Sequence, residues 1–184
     1  MQKFDVVVIG AGAAGLFCSG VAGQLGLKVL LIEHSGKIGE KIRIAGGGRC
    51  NFTNRDLDPS APQKHFLGQN PKFCRSALSR YTPQDFIALV QRHDIAFHEK
   101  HKGQLFCDRS AQDIINLLLA ECAAAASGGS VTTKFPCSVK NIAFFDPAQH
   151  PAVDFSYQLE SDRGPIASNA VVIATGGLSI PAIS

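Results

Sequence analysis

An α/β fold built on a parallel sheet is what this sequence predicts, on three adjoining features of its first 33 residues. Asp5–Ile9 is a short β-branched run bounded by glycine, too short for a helix and apolar enough for a strand buried on both faces. Gly10-Ala11-Gly12-Ala13-Ala14-Gly15 follows at once and opens a small-residue helical stretch that runs to about Gln24. A second apolar run, Lys28–Ile32, then ends on an acid, Glu33.

Together these make a strand–turn–helix–strand unit in which each small residue has a purpose. Gly10 permits the tight turn, Gly12 lets backbone approach a diphosphate, and Gly15 lets helix and strand pack closely. The first N–H groups of the helix lack intrahelical acceptors, so they and the helix dipole favour an anion. Glu33 lies 18 positions past Gly15, where a carboxylate accepts hydrogen bonds from an adenosine ribose. The same carboxylate would repel a 2′-phosphate, which disfavours NADP in this position. A lone glycine pattern says little. With its strand, its helix and its terminal acid it predicts a dinucleotide site.

Bulk properties narrow the class. The chain has 184 residues, enough for a domain with a real core, and 45% hydrophobic with 18% charged residues excludes wholesale disorder. A net charge of +3 is too small to argue for nucleic acid, and no lysine/arginine run or interleaving of basic with aromatic residues adds to it. Lys3 before an apolar run resembles a signal peptide, but Asp5 interrupts it, and no stretch approaches the ~20 apolar residues of a membrane span. A cytoplasmic protein is expected. The six cysteines are scattered with no CxxC, so free thiols are expected. His98, His101 and Cys107 lack a fourth ligand, and no metal site is expected.

Past Glu33, the polar segment His34–Lys41 reads as a loop, and Lys41–Asn54 continues as a loop around Gly46-Gly47-Gly48. Three consecutive glycines have little use in a helix or strand; they bring bare backbone against something or take positive φ. Lys41, Arg43 and Arg49 add positive charge there. Asp56–Gln69 is irregular, and Pro71–Arg80 can form a helix. Thr82-Pro83-Gln84-Asp85 starts another, with Thr82 as cap and Pro83 at the first helical position. Ile95–Glu99 and Gln104–Cys107 read as short strands, and Ser110-Ala111-Gln112-Asp113 as a capping box for a helix to about Ala125. Strands follow at Ser130–Phe135, Ser138–Phe145, Val153–Glu160 and Gly164–Ala167. The last, Ala170–Ala174, stops at Thr175-Gly176-Gly177, as where a sheet edge meets a ligand.

In this order the motifs resemble the two-dinucleotide-binding flavoproteins, and Ile44-Ala45-Gly46-Gly47-Gly48-Arg49-Cys50-Asn51-Phe52-Thr53-Asn54 resembles the signature of the BaiN-type, aminoacetone-oxidase-like NAD(P)/FAD-dependent oxidoreductases, with Ala45 where serine is usual. The resemblance implies a Rossmann-like FAD-binding domain with a β-meander crossover. It implies that Gly10, Gly12, Ala13, Ala14 and Gly15 face the diphosphate, with Glu33 and its neighbour His34 at the ribose. Gly46, Gly47, Gly48, Arg49, Cys50 and Asn51, with Lys41, would lie toward the ribityl and isoalloxazine side. Backbone at Val139 would meet the adenine, and Ala174, Thr175 and Gly176 would close the pocket.

Such proteins resemble chains about twice this long, so an N-terminal part is expected. It would be an FAD-binding domain over 1–184 with a mostly helical insertion at about 55–127. A substrate domain would begin after Gly177, and that domain and a C-terminal flavin-binding segment would be absent. FAD is the expected cofactor, NAD(P)H a candidate reductant and a small molecule the expected substrate, with hydride transfer as the chemistry. No base is assigned, because lone histidines such as His65, His93, His98 and His101 are more often structural or solvated. Cys50 has no partner cysteine near it in sequence, which favours packing over a dithiol relay. The competing readings are a nucleotide-binding remnant without turnover and an NAD-only dehydrogenase domain.

Overall fold

The structure, a computed structural model, describes residues 1–177. Its elements in chain order are β1 (Gln2–Ile9), α1 (Ala13–Gln24), β2 (Lys28–Ile32), α2 (Glu40–Ile44), β3 (Asn51–Asn54), α3 (Arg75–Arg80), α4 (Pro83–Arg92), β4 (Phe97–Glu99), β5 (Gln104–Cys107), α5 (Gln112–Ala123), β6 (Ser130–Lys134), β7 (Val139–Phe144), β8 (Tyr157–Ser161) and β9 (Gly164–Ile173). They fall into two compact units, one of Met1–Lys41 with the described residues from Leu118 on, the other Ile42–Leu117. Leu178–Ser184, where the sequence expectation starts a further domain, lies outside the described residues.

The first unit is a six-stranded sheet in the order β6-β2-β1-β9-β8-β7. β6, β2, β1 and β9 run parallel, while β8 pairs antiparallel with both β9 and β7, which is the expected meander. Alternation along the strands supplies two buried faces. Val7, Leu30 and Ile32 pack with Cys137, Leu159 and Ile166 from the meander side. Val8, Val29 and Leu31 point the other way and are also fully buried. α1 lies over the sheet through Gly15, Leu16, Ser19, Gly20 and Gly23. A Cβ on Gly20 would stand 3.3 Å from Glu121, so glycine sets how near α1 comes to the end of α5. Asp5, the polar break in β1, accepts the Lys28 backbone amide at 2.7 Å and ties β1 to the start of β2.

One expectation is corrected here. The two runs expected at Gly164–Ala167 and Ala170–Ala174 form a single strand, β9, because its start, Gly164–Ser168, pairs with β8 while Ile166–Ile173 pairs with β1. Polar Asn169 interrupts the apolar pattern but not the ladder, since Phe4↔Ser168 and Val6↔Ala170 hold one register across it.

The second unit holds a three-stranded sheet, β3-β5-β4, beside α3 and α4. The loop expected over Lys41–Asn54 is instead a short helix, a 3-10 turn over Ala45–Gly48 and then β3. Asn51 and Thr53 gain ladder partners in Phe106 and Leu105, a pairing distant in sequence that no local pattern announces. Phe52 packs against Phe86 and Phe97 with ring centroids 6.0 and 5.4 Å away. The helix expected over Pro71–Arg80 forms only from Arg75. α4 starts as read: Thr82 caps Asp85 and Asp85 reaches back to the Thr82 amide, with Pro83 in the first turn. At α5, Ser110 Oγ accepts the Gln112 amide at 3.1 Å, so Ser110 caps the helix as read, and the helix itself runs from Gln112 to Ala123.

Candidate functional site

β1 pairs with β2 on one side and β9 on the other, so the chain leaves β1 at the point where the strand order reverses. Ligands of open α/β sheets bind outside the carboxyl ends of the strands at such a point. The glycine turn occupies it. Gly10 has φ +105°, its amide donates to the Ile32 carbonyl at 2.7 Å, and a Cβ there would meet the Ala174 carbonyl oxygen at 2.5 Å. A Cβ on Gly15 would fall 1.8 Å from the Gly10 oxygen. Both glycines are explained by the protein's own backbone.

Gly12 is not. It is the N-cap of α1 with an ordinary φ of −82°, and among the described residues a Cβ built on it would meet no atom within 4 Å. Ala13 and Ala14 after it are exposed, no side chain caps the helix, and its first turn carries no acid. The start of α1 therefore offers uncapped N–H groups and the positive end of the dipole to open space. A diphosphate fits this cradle.

Glu33 is aimed at the same turn. Its Oε2 accepts the Ala11 amide at 2.8 Å, its Oε1 accepts the Ser35 amide at 2.9 Å, and the His34 Nδ1 lies 2.9 Å from that Oε1. A carboxylate has about four lone-pair sites, so three partners leave capacity for a ribose hydroxyl. Glu33 is otherwise buried, while His34 is exposed. The loop after it closes on the turn, with Gly39 donating to the Ala11 carbonyl at 3.0 Å.

At the far side of β1, Ala174 donates to the Ile9 carbonyl at 2.8 Å and keeps the end of β9 beside the turn. Gly176 has φ +77°, and the Lys41 ammonium donates to the Gly177 carbonyl. Val139 lines a cleft of about 420 Å³ together with Ile9, Ile173, Thr175, Lys140, Asn141 and Ile142. The last three, with Ile9 and Ile173, are not marked by any local sequence pattern, because β7 is joined to the sheet only through its pairing with β8. An apolar cleft beside the turn suits a flat ring. The residues of this unit fit the diphosphate, ribose and adenine of a dinucleotide.

In the second unit Gly46, Gly47 and Gly48 take φ +58°, +69° and +87°, and Cys50 takes +51°. A Cβ on Gly46 would stand 2.5 Å from the Phe106 ring, so that glycine serves internal packing. Among the described residues, no atom lies within 4 Å of a Cβ on Gly47. The loop is fastened within its own unit: Gly48 and Arg49 carbonyls accept the Ala111 and Cys107 amides at 2.7 and 2.9 Å, and Cys50 donates to Ala45 at 2.9 Å. Arg43 bonds the Gln112 side chain. Arg49 and Asn51 are exposed. Burial pushes the Cys50 thiol up to about 11, and burial together with the nearby Cys50 pushes Cys107 up to about 12. Both are neutral thiols at physiological pH and poor nucleophiles. His98, one of the weighed histidines, holds Asp108 at 2.6 Å and stacks on Phe106.

Residues 4–184 match the family described as the HI0933-like protein Rossmann domain. The chain is 47% identical over 183 residues to the ribosomal RNA dihydrouridine synthase of Escherichia coli, covering 100% of this chain and 42% of that protein. It is 34% identical over 116 residues to the 3-dehydro-bile acid delta(4,6)-reductase of Clostridium scindens, covering 62% of this chain and 27% of that one. Its fold is similar to that of glycine oxidase from Geobacillus kaustophilus, with a TM-score of 0.63 and 15% identity over 100% of this chain and 58% of the oxidase. The chain thus spans less than half the length of the curated relatives it matches. The family match bears out the Rossmann-like fold read from the sequence; the BaiN-type subdivision is finer than it reaches.

Proposed function

Because the chain belongs to the HI0933-like protein Rossmann-domain family, we propose that it is the FAD-binding part of a flavin-dependent oxidoreductase that reduces a uracil ring of ribosomal RNA. The cofactor half of this reading is carried by the carboxylate of Glu33, turned onto the Ala11 amide at the open start of α1. The substrate half is supported by the 47% identity over the whole chain to a protein named for that activity.

In this reading the amides of Ala13, Ala14 and Gly15 hold the diphosphate, Gly12 leaves room for it, and Glu33 binds the ribose. Val139 and its cleft take the adenine, and Ala174, Thr175 and Gly176 close over the nucleotide. Lys41, His34 and the Gly46–Asn51 segment are assigned to the same cofactor on the strength of the sequence resemblance. Bound FAD would supply hydride transfer to a carbon–carbon double bond conjugated with a carbonyl, as in uracil, with NAD(P)H as reductant. The substrate departs from the small molecule expected above, and the partner from the absence of nucleic acid. That expectation rested on net charge, which averages over the whole stretch, and on finding no interleaving of basic with aromatic residues, which Lys64–Tyr81 carries in a form too widely spaced to read as a run. No helix among the described residues is long and apolar enough to cross a membrane, and we place the enzyme with its RNA in the cytoplasm.

A second reading, reduction of a conjugated small molecule, is favoured by the 34% identity to the bile-acid reductase. Two measurements separate the possibilities. Flavin absorbance that bleaches on reduction supports the cofactor; colourless protein that binds only ADP, or only NAD, contradicts it. Protein carrying this chain at its N-terminus, given NADPH and ribosomal RNA, should yield dihydrouridine detected as a gain of two hydrogens by mass spectrometry. Turnover of a conjugated steroid acid with no change in the RNA would favour the second reading.

A further inference from the structure

The second unit carries a surface that its own packing does not explain. Between Asp58 and Asp85 the chain has no acidic residue, yet it has Lys64, Lys72, Arg75, Arg80 and His65. Interleaved with them are Phe66, Leu67, Phe73 and Tyr81, which are 39%, 97%, 85% and 38% exposed. Every residue from Gln63 to Asn70 is exposed, as are Lys72, Phe73, Arg75 and Arg80.

Neither Phe66 nor Phe73 has an aromatic partner among the described residues, whereas Phe52 engages both Phe86 and Phe97. Lys72 and Arg75 make no salt bridge among the described residues. Arg80 holds only the neutral Ser76. Of the two acids that bracket the segment, Asp85 is held by Thr82, and Asp58 is held by Ser60 while also attracting Lys64 and His65, which leaves Lys72 and Arg75 as the cations furthest from compensation. Phe73, 85% exposed between Lys72 and Arg75, presents an aromatic face flanked by cations that no ion pair among the described residues neutralises.

We infer that residues 62–81 form a docking surface for single-stranded RNA, with Lys64, Lys72, Arg75 and Arg80 on phosphates and Phe66 and Phe73 as stacking platforms for unpaired bases. Positive charge that tracks a backbone, with aromatic faces that accept any base, is the chemistry of single-strand binding. Duplex RNA hides its base faces and would use only the cations. The inference rests on the reading that ribosomal RNA is the substrate, and it assigns the RNA a place on this chain.

The test is fluorescence anisotropy of a short labelled single-stranded RNA against the 184-residue chain over a salt series. Lys72→Glu/Arg75→Glu and Phe73→Ala are compared with Arg163→Glu, a cation on the turn between β8 and β9. All four positions are exposed, and thermal melts of each variant confirm folding. The double charge reversal should weaken binding at low salt by about tenfold or more and lower the slope of log affinity against log salt by about 1.4, near 0.7 per lost phosphate contact. Phe73→Ala should weaken binding by about fivefold or more with the slope unchanged. Arg163→Glu should change neither. Wild-type binding that survives the substitutions at Lys72, Arg75 and Phe73 overturns this surface while leaving the ribosomal RNA reading intact. No binding by the wild-type chain also overturns it, and dihydrouridine formation by the longer protein then decides separately whether RNA is the substrate. Loss of thermal stability in Phe73→Ala with RNA affinity unchanged would mean that protein covers this surface instead.

Discussion

The Glu33 carboxylate accepts the Ala11 amide at 2.8 Å, joining the end of β2 to the turn that opens α1. It also accepts the Ser35 amide at 2.9 Å, so one acid fixes both the turn and the loop that follows β2. The group proposed to read the ribose is therefore held in place before any ligand arrives, which limits the ordering that binding requires.

Glu33→Gln should act on both stability and binding. It replaces a charged acceptor with a neutral one and turns an NH₂ toward one of two amides. A stability loss of about 1–3 kcal/mol is expected, along with a fall in FAD affinity of about tenfold or more. Urea denaturation and calorimetric titration with FAD measure the two effects. An unchanged affinity would remove Glu33 from the site.

Gly10→Ala and Gly15→Ala should mainly damage the fold. Cβ atoms there would sit 2.5 Å and 1.8 Å from carbonyl oxygens, and Gly10 also has φ +105°. Each substitution should cost about 2–4 kcal/mol, seen as a lower urea midpoint.

The buried thiols predict an alkaline weakening of the fold. Cys50 and Cys122 rise from an ordinary 9.0 to about 11, and Cys107 to about 12, in each case chiefly through burial. Below pH 9 the folded and unfolded chains both hold these protons. Above it the unfolded chain releases protons that the folded chain keeps, so stability falls as pH rises from 9 toward 11. Urea midpoints from neutral pH upward should drop in that window and be flat below it. At neutral pH an alkylating reagent should label half-buried Cys74 before Cys50 or Cys107.

In the second unit, Thr82→Ala should cost about 1 kcal/mol by removing the α4 cap. Hydrogen bonds from Thr82 also hold the Asp85 carboxyl below its usual range. A depressed carboxyl stabilises above its unfolded value and loses that contribution as pH falls. The difference between wild type and variant should therefore shrink in acid, as urea melts at neutral and acidic pH would show.

What could be read from the sequence was local. Asp5–Ile9, the glycine turn and Glu33 declare strand, turn, helix and acid within one continuous stretch, and the Thr82–Asp85 cap is written in four adjacent residues. What was missed depends on pairing between distant residues. β3 exists because Asn51 and Thr53 meet Phe106 and Leu105, and the cleft beside β1 exists because Val139 and Ile142 are carried there by the meander. The basic and aromatic side chains of 62–81 were hidden differently. They are spread singly over twenty positions, and only their shared exposure reveals them.

In the proposed site, Gly12 is small for the ligand and not for the protein. Gly12→Ala places a methyl group where no atom of the described residues, its own chain neighbours aside, lies within 4 Å, at an ordinary φ of −82°. The decisive measurement is the affinity of this variant for FAD set against its thermal stability. The account predicts a stability loss of about 1 kcal/mol or less, from the weaker N-cap alone, with FAD binding reduced tenfold or more. A variant that binds FAD as tightly as the wild type, or that unfolds as Gly15→Ala is expected to, would contradict it.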